Sequence, residues 1–170
     1  GTRVKIDPVR CITNMSTGAT GIEVSKIFYG MGYNLTVLAA YTTQSLPLYD
    51  GVDIHHLPDY FDMFEFASNL NLKKYHEFIH LVAASDFNPV DEKIHKIKSE
   101  TEKLELAFTK TKKLLAHTKL KDISYIAAGK LTSKNNKKGL DEAMELLKKN
   151  NLNAVLWNKA SDAWNKEKTH

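Results

Sequence analysis

The stretch Asp7-Pro-Val-Arg-Cys-Ile-Thr-Asn-Met-Ser-Thr-Gly-Ala-Thr-Gly21 decides how this chain is read. It reads as a turn, then a polar loop, then the start of a helix. Asn14, Ser16 and Thr17 gather side-chain donors and acceptors, and Gly18 and Gly21 permit tight folding or close approach of a ligand. Ile22, Ile27, Phe28 and Met31 follow as one face of the helix. A loop that opens a helix presents unpaired backbone N–H groups at the positive end of the helix dipole, which suits a phosphate or carboxylate. The plainer reading of the same residues makes Ser16 or Thr17 an N-cap.

Outward from this stretch the pattern alternates. Gly30 and Gly32 end the helix, and Asn34–Ala40 reads as a buried strand. Residues 41–58 carry Pro47, Gly51 and Pro58 around a short strand near Val52–His55. Phe61, Phe64, Ala67, Leu70 and Leu72 stripe a second helix, and Phe78–Ala84 is a second buried strand. A long polar loop over 85–102, poor in apolar residues, is expected to be mobile. Leu104–Phe108 alternates as a strand, Thr111–His117 reads as a short helix and Ile123–Ala127 as a strand. An amphipathic helix over 136–149 runs through Leu140, Met144 and Leu147, and Leu152–Trp157 closes as a strand. This alternation predicts an α/β fold, a Rossmann-like three-layer sandwich around a mostly parallel central sheet, over a single domain 1–170. Ligands of such sheets bind beyond the carboxyl ends of strands, where Ser85, Asp86 and Asn158 fall. A βα unit begins with a strand and none is read before the opening loop, so the first strand is expected outside this sequence.

Composition narrows the function classes. With 42% hydrophobic and 26% charged residues, the chain has the make-up of an ordinary globular domain able to bury a core. The charge of +4 comes from 24 Lys+Arg against 20 Asp+Glu, and the lysine-rich stretches also hold acids. That pattern fits solvated helix faces with a few lysines aimed at phosphates, not a nucleic-acid groove. The single cysteine, Cys11, excludes an internal disulfide, fits a reducing compartment and reads as a small packing residue. No apolar run approaches the roughly 18 residues that span a membrane, and no signal peptide is visible, so a cytoplasmic protein is expected. The seven histidines show no metal-ligand spacing with acids or cysteine.

Three segments, in order and spacing, then acquire a joint meaning. The first is Gly1-Thr2, Ile6-Asp7-Pro8-Val9-Arg10, Ile12-Thr13-Asn14 and Ser16-Thr17-Gly18 with Gly21. The second is Ala83-Ala84-Ser85-Asp86-Phe87, and the third Lys96-Ile97-Lys98-Ser99 followed by Leu104-x-Leu106 and Lys110-Thr111-x-Lys113. The set resembles the phosphopantothenoylcysteine synthetase (phosphopantothenate–cysteine ligase) family, in a stand-alone form with no flavin-dependent domain. The resemblance implies a two-step ligation: a nucleoside triphosphate turns the 4′-phosphopantothenate carboxylate into an acyl nucleotide, then the amine of L-cysteine attacks. CTP is expected ahead of ATP, with Mg²⁺ and without flavin. The partners implied are these small molecules and a second copy of the chain in a homodimer, with no nucleic acid and no membrane.

Carried over residue by residue, the resemblance makes Asn14 and Lys96 catalytic. It assigns Ala83, Ala84, Asp86, Lys96, Thr111, Lys113, Lys130 and Lys149 to the nucleotide, and Asn14, Ser16, Thr17 and Gly18 to phosphopantothenate, with no metal ligands assigned. The residue types suit the chemistry. A triphosphate and a carboxylate repel each other, so cations must neutralise them. Lys96 is a point charge for an α-phosphate, Asp86 an acceptor for a base or ribose or a metal ligand, and the neutral Asn14 amide a donor for an acyl carbonyl. Each also has a plainer reading: a solvated lysine, a turn residue and a local turn cap.

The sequence departs from the family in two places. Gly129 stands before Lys130-Leu131 where relatives carry an aromatic, and Asn158 is followed by Lys159-Ala160, so only Asn158 carries over there. Lys149, beside Lys148, reads equally as a solvated helix end. Two other functions compete. A nicotinamide-dependent oxidoreductase needs G-x-G-x-x-G and a ribose-binding acid; Thr17-Gly18-x-x-Gly21 meets this in part, Leu38-Ala39-Ala40 offers no acid, and no Tyr-x-x-x-Lys pair occurs. A relative that binds nucleotide or phosphopantothenate without turnover is the other.

Overall fold

The computed structural model describes residues 1–42, 46, 49–93, 95–100, 102–116, 120, 122–133 and 137–160. In it the opening stretch folds as an antiparallel hairpin, where the sequence pattern suggested only a turn and a polar loop. Strand β1 (Arg3–Asp7) pairs with β2 (Arg10–Thr13), Arg3 facing Thr13 and Asp7 facing Arg10. The turn over Pro8 is closed by Asp7, whose Oδ1 accepts from Val9 N at 2.9 Å and Arg10 N at 2.8 Å. Thr2, Val4 and Ile6, spaced at two residues, are all buried. Two further segments flank the start of β1: Thr2 N donates to Ala83 O at 3.1 Å and Arg3 N to Pro58 O at 2.7 Å.

This hairpin belongs to the first of two compact units, made of Gly1–Asn69 and Val82–Leu114. Helix α1 (Ala19–Gly30) follows it, with Gly18 and not Ser16 or Thr17 at the N-cap position, although Thr17 Oγ1 accepts from Ala19 N at 3.4 Å. Of the expected apolar face only Ile22 is buried, while Ile27 and Met31 are exposed. The spacing explains this, since five residues turn an α-helix by about 140° past a full revolution. Strands β3 (Thr36–Ala39) and β4 (Asp53–His56) pair in parallel, and β4 is the short strand expected near Val52–His55. Helix α2 (Tyr60–Asn69) buries Tyr60, Met63 and Ala67 and leaves Phe61 exposed. Strands β6 (Phe87–Pro89) and β7 (Phe108–Lys110) form an antiparallel pair, so a strand lies inside the loop expected over 85–102, and the strand expected at 104–108 begins at its end.

The second unit, Leu70–Leu81 with Leu115–His170, holds the three-stranded parallel sheet. Its order is β5 (Glu77–His80), β8 (Tyr125–Thr132), β9 (Ala154–Lys159), with helix α3 (Lys137–Lys149) in the connection from β8 to β9. Leu72, Leu120, Ile123, Ile126, Ala128 and Leu152 form its core, with Phe78, Leu146, Leu147 and Val155 packed against them. The helix expected over Thr111–His117 is a single 3₁₀ turn at Leu114–Ala116, and His117 lies outside the described residues. The chain is therefore α/β, with parallel strands in both units and two antiparallel pairs in the first. Among the described residues no helix is long and apolar enough to cross a membrane.

Candidate functional site

The segment Ala83–Asp86 is where the first unit gathers its polar groups. Thr2, 0% exposed, is the hub. Its N–H donates to Ala83 O at 3.1 Å, its Oγ1 accepts from Ser85 N at 2.9 Å, and its carbonyl accepts from Thr13 Oγ1 at 3.1 Å. Every polar group of this buried residue thus has a partner, which its desolvation requires. Asn14 follows β2 directly, and its Nδ2 donates to Ala83 O at 2.8 Å. That bond uses one of the two amide N–H groups and leaves the other, with Oδ1, for a ligand. A Cβ at position 1 would lie 2.9 Å from the Asn14 Cβ, so glycine allows this approach.

From Asn14 the chain passes through Ser16 and Thr17 to the start of α1, under Tyr41 and Thr42. Thr42 Oγ1 donates to Thr17 O at 2.5 Å, and the Arg3 guanidinium lies 3.8 Å over the Tyr41 ring. Gly18 has φ +83°, and a Cβ there would lie 2.7 Å from Thr42 Oγ1, so both backbone and space demand glycine. At the other end of the segment Asp86 pairs with Lys113. Thr111 is tied there twice, N to Asp86 O at 3.0 Å and Oγ1 to Ser85 O at 2.6 Å. Behind them the Tyr60 hydroxyl donates to Lys112 O. Burial raises the Tyr60 pKa above its usual value, and the Asp86 charge adds to this against a hydrogen bond with Thr111.

Asn14, Ala83, Ala84, Asp86, Thr111 and Lys113 therefore meet around one segment, and Ser16, Thr17 and Gly18 continue from it into α1. Lys96 does not join them. It is exposed, without a hydrogen-bond or ion-pair partner among the described residues. Its neighbour Ile97 is bound to Asp7 and Arg10 at the turn of the hairpin, the far end of β1 from Asn14. At about 3.3 Å per residue the strand puts roughly 16 Å between Thr2 and Asp7. Lys130 and Lys149 stand in the second unit. Lys130 on β8 pairs with Glu142 of α3 at 3.3 Å, and Lys149 is exposed in the last turn of α3. Asn158 on β9 lies opposite Leu131, and a Cβ at Gly129 would come within 3.3 Å of Leu81 Cδ2.

Sequence reasoning missed Thr2 and Asp7 as working parts of this region. Asp7 is 1% exposed. Burial pushes its carboxyl pKa up, but the N–H groups of Ile97, Val9 and Arg10 and the Arg10 guanidinium outweigh it and hold the pKa down to about 2. A signal existed, since Asp-Pro-x-Arg is turn chemistry with a ready ion pair; the Ile97 partner left none.

The family model described as the DNA/pantothenate metabolism flavoprotein C-terminal domain matches residues 1–169. The chain belongs to this family. A curated relative is the coenzyme A biosynthesis bifunctional protein CoaBC of Borreliella burgdorferi, 29% identical over 160 residues, covering 90% of this chain and 39% of that protein. The chain thus spans well under half of that relative. Two solved structures share the fold. The DNA/pantothenate metabolism flavoprotein from Streptococcus pneumoniae superposes with a TM-score of 0.83 at 22% identity, over 95% of this chain and 80% of that one. The C-terminal domain of the CoaBC protein superposes with a TM-score of 0.72 at 22% identity, over 95% of this chain and 70% of that one.

Proposed function

We propose that this protein is a phosphopantothenate–cysteine ligase of coenzyme A biosynthesis, acting in the cytoplasm. A nucleotide, CTP ahead of ATP, activates the 4′-phosphopantothenate carboxylate, and the L-cysteine amine displaces the nucleoside monophosphate to form the amide. The observation that carries this reading is the neutral Asn14 amide fixed on Ala83 O beside the Asp86–Lys113 pair, in a chain matched to the family along its length. The free Asn14 N–H donates to the acyl carbonyl, whose negative charge grows as the amine attacks. The opening of α1 over Ser16, Thr17 and Gly18 takes the substrate phosphate on backbone N–H groups. Asp86, Thr111 and Lys113 hold the nucleotide. The position of Lys96, a β-strand's length from Asn14, fits the leaving pyrophosphate end of the triphosphate better than the α-phosphate expected from the sequence.

Mg²⁺ belongs to this reading as the companion of the triphosphate. Among the described residues no three His, Cys, Asp or Glu side chains come together as a metal site. The described residues therefore form no carboxylate cage, and a bound Mg²⁺ would rest mainly on phosphate oxygens and water. The reading includes a homodimer, supported by Ile12, Phe87 and Phe108, exposed on the hairpin and the β6–β7 pair, and by Met15 and Val90, exposed just beyond β2 and β6.

Pyrophosphate release measured with CTP and with ATP, with and without phosphopantothenate and cysteine, tests the proposal. Release should need phosphopantothenate but not cysteine, and amide product should need all three. Lys96→Gln should slow release by about 10²–10³, the usual loss of one electrostatic stabiliser. Release that ignores phosphopantothenate would remove the ligase reading.

A further inference from the structure

The segment that carries Lys96 is fastened to the hairpin turn at both ends. Lys93 N donates to Ile6 O at 2.9 Å, Ile97 N donates to Asp7 Oδ2 at 3.0 Å, and Arg10 Nη1 donates to Ile97 O at 3.1 Å. Asp7 stands at the centre and divides its oxygens between two tasks. Oδ1 builds the turn through Val9 N and Arg10 N, while Oδ2 accepts from Arg10 Nη1 at 2.5 Å and from Ile97 N. Four donors on one carboxylate exhaust its acceptor sites, and its side chain is wholly buried. The next side chain along, Lys96, is exposed and unpartnered among the described residues.

We infer that Asp7 is a positioning residue, which holds Ile97 on the hairpin turn and so presents the Lys96 ammonium to the phosphates of the nucleotide. The inference rests on the role given to Lys96 above. Its physical basis is pre-organisation. A lysine on a free loop must lose backbone entropy at each residue ordered when substrate arrives. A loop already tied to a strand has met that cost during folding. A carboxylate serves better than a neutral acceptor because hydrogen bonds to a charged group are stronger.

Asp7→Asn separates the two tasks. One carbonyl oxygen cannot serve both sets of donors. The turn bonds, made within three residues, keep it, and Ile97 N then faces an amide NH₂. Acyl-nucleotide formation is measured by rapid quench in wild type, Asp7→Asn, Lys96→Gln and the double variant. Amide exchange at Ile97 is followed in wild type and Asp7→Asn, with thermal melting as the fold control. The expected result is a ten- to hundredfold fall in kcat with the nucleotide KM within about twofold, as for a lost buried hydrogen bond to a charge. No further fall should appear when Asp7→Asn is added to Lys96→Gln, because Asp7 acts through Lys96. Ile97 exchange should quicken. Equal falls on both backgrounds, or an Ile97 amide that stays protected, overturn the inference while leaving the ligase reading intact. Should wild type release no pyrophosphate, the ligase reading fails and the exchange arm alone decides the clamp: protection kept refutes it, protection lost supports it. If Asp7→Asn fails to fold, Ile97→Pro removes the same N–H without touching the turn and carries the same kinetic expectations, alone and on the Lys96→Gln background.

Discussion

Replacing Thr2 by valine is the sharpest test of the architecture around the site. Valine has nearly the shape of threonine, so no cavity forms, and the perturbation is the loss of one oxygen. That oxygen accepts from Ser85 N at 2.9 Å between groups that are both buried. Without it a backbone N–H is left desolvated and unpaired, at a cost of about 1–3 kcal/mol. Thr17→Val is the matched control. Its Oγ1 accepts from Ala19 N at 3.4 Å, but the site is exposed, so water replaces the lost acceptor and the loss should stay within about 0.5 kcal/mol. Urea unfolding of wild type and both variants, at constant m-value, measures the two losses on one scale. Because Ser85 sits between Ala83, which holds Asn14, and Asp86, Thr2→Val should also weaken nucleotide binding. Equal midpoints for Thr2→Val and Thr17→Val would refute the reasoning, for burial would then not be deciding the cost.

Three other outcomes are expected. Asn14→Asp should still bind CTP or ATP, accumulate acyl nucleotide in a rapid quench and stall before the amide; nucleotide binding lost with no intermediate would place Asn14 elsewhere in the mechanism. Gly18→Ala should destabilise by about 1–3 kcal/mol, the usual cost of strain at a positive φ, and a melting point at the wild-type value would contradict the geometry at Thr42. The Asp7 carboxyl has a folded pKa of about 2 against an ordinary 3.8. Its folded pKa is depressed, so its contribution is present above about pH 4 and lost as pH falls toward 2. Acid unfolding of Asp7→Asn should therefore show a shallower loss of stability across that window, and an unchanged slope would argue against the clamp.

The sequence by itself determined the class and much of the family reading. Short apolar runs announced β3, β5, β9 and the start of β8, and helical periodicity placed α1, α2 and α3, because these signals are local. Even so, the buried faces of α1, α2 and α3 differ from those read, Leu140 and Met144 of α3 being exposed while Gly139 and Ala143 are buried: spacing gives a stripe, but packing chooses which part of it is covered. The ordered motifs around Asn14, Asp86 and Lys96 pointed to the family whose model matches the chain. What only the tertiary structure decided is non-local. Strand β1 does alternate, Val4 and Ile6 lying between Arg3, Lys5 and Asp7, but only its pairing with the four-residue β2 makes a hairpin of it, and β6 ends in Pro89, a residue that argues against a strand until its pairing is seen. Thr2 works through Ser85, Asp7 through Ile97, and Asp86 through Lys113. Each pair lies tens of residues apart, where hydrogen-bond geometry and burial choose the partner and no sequence pattern records it.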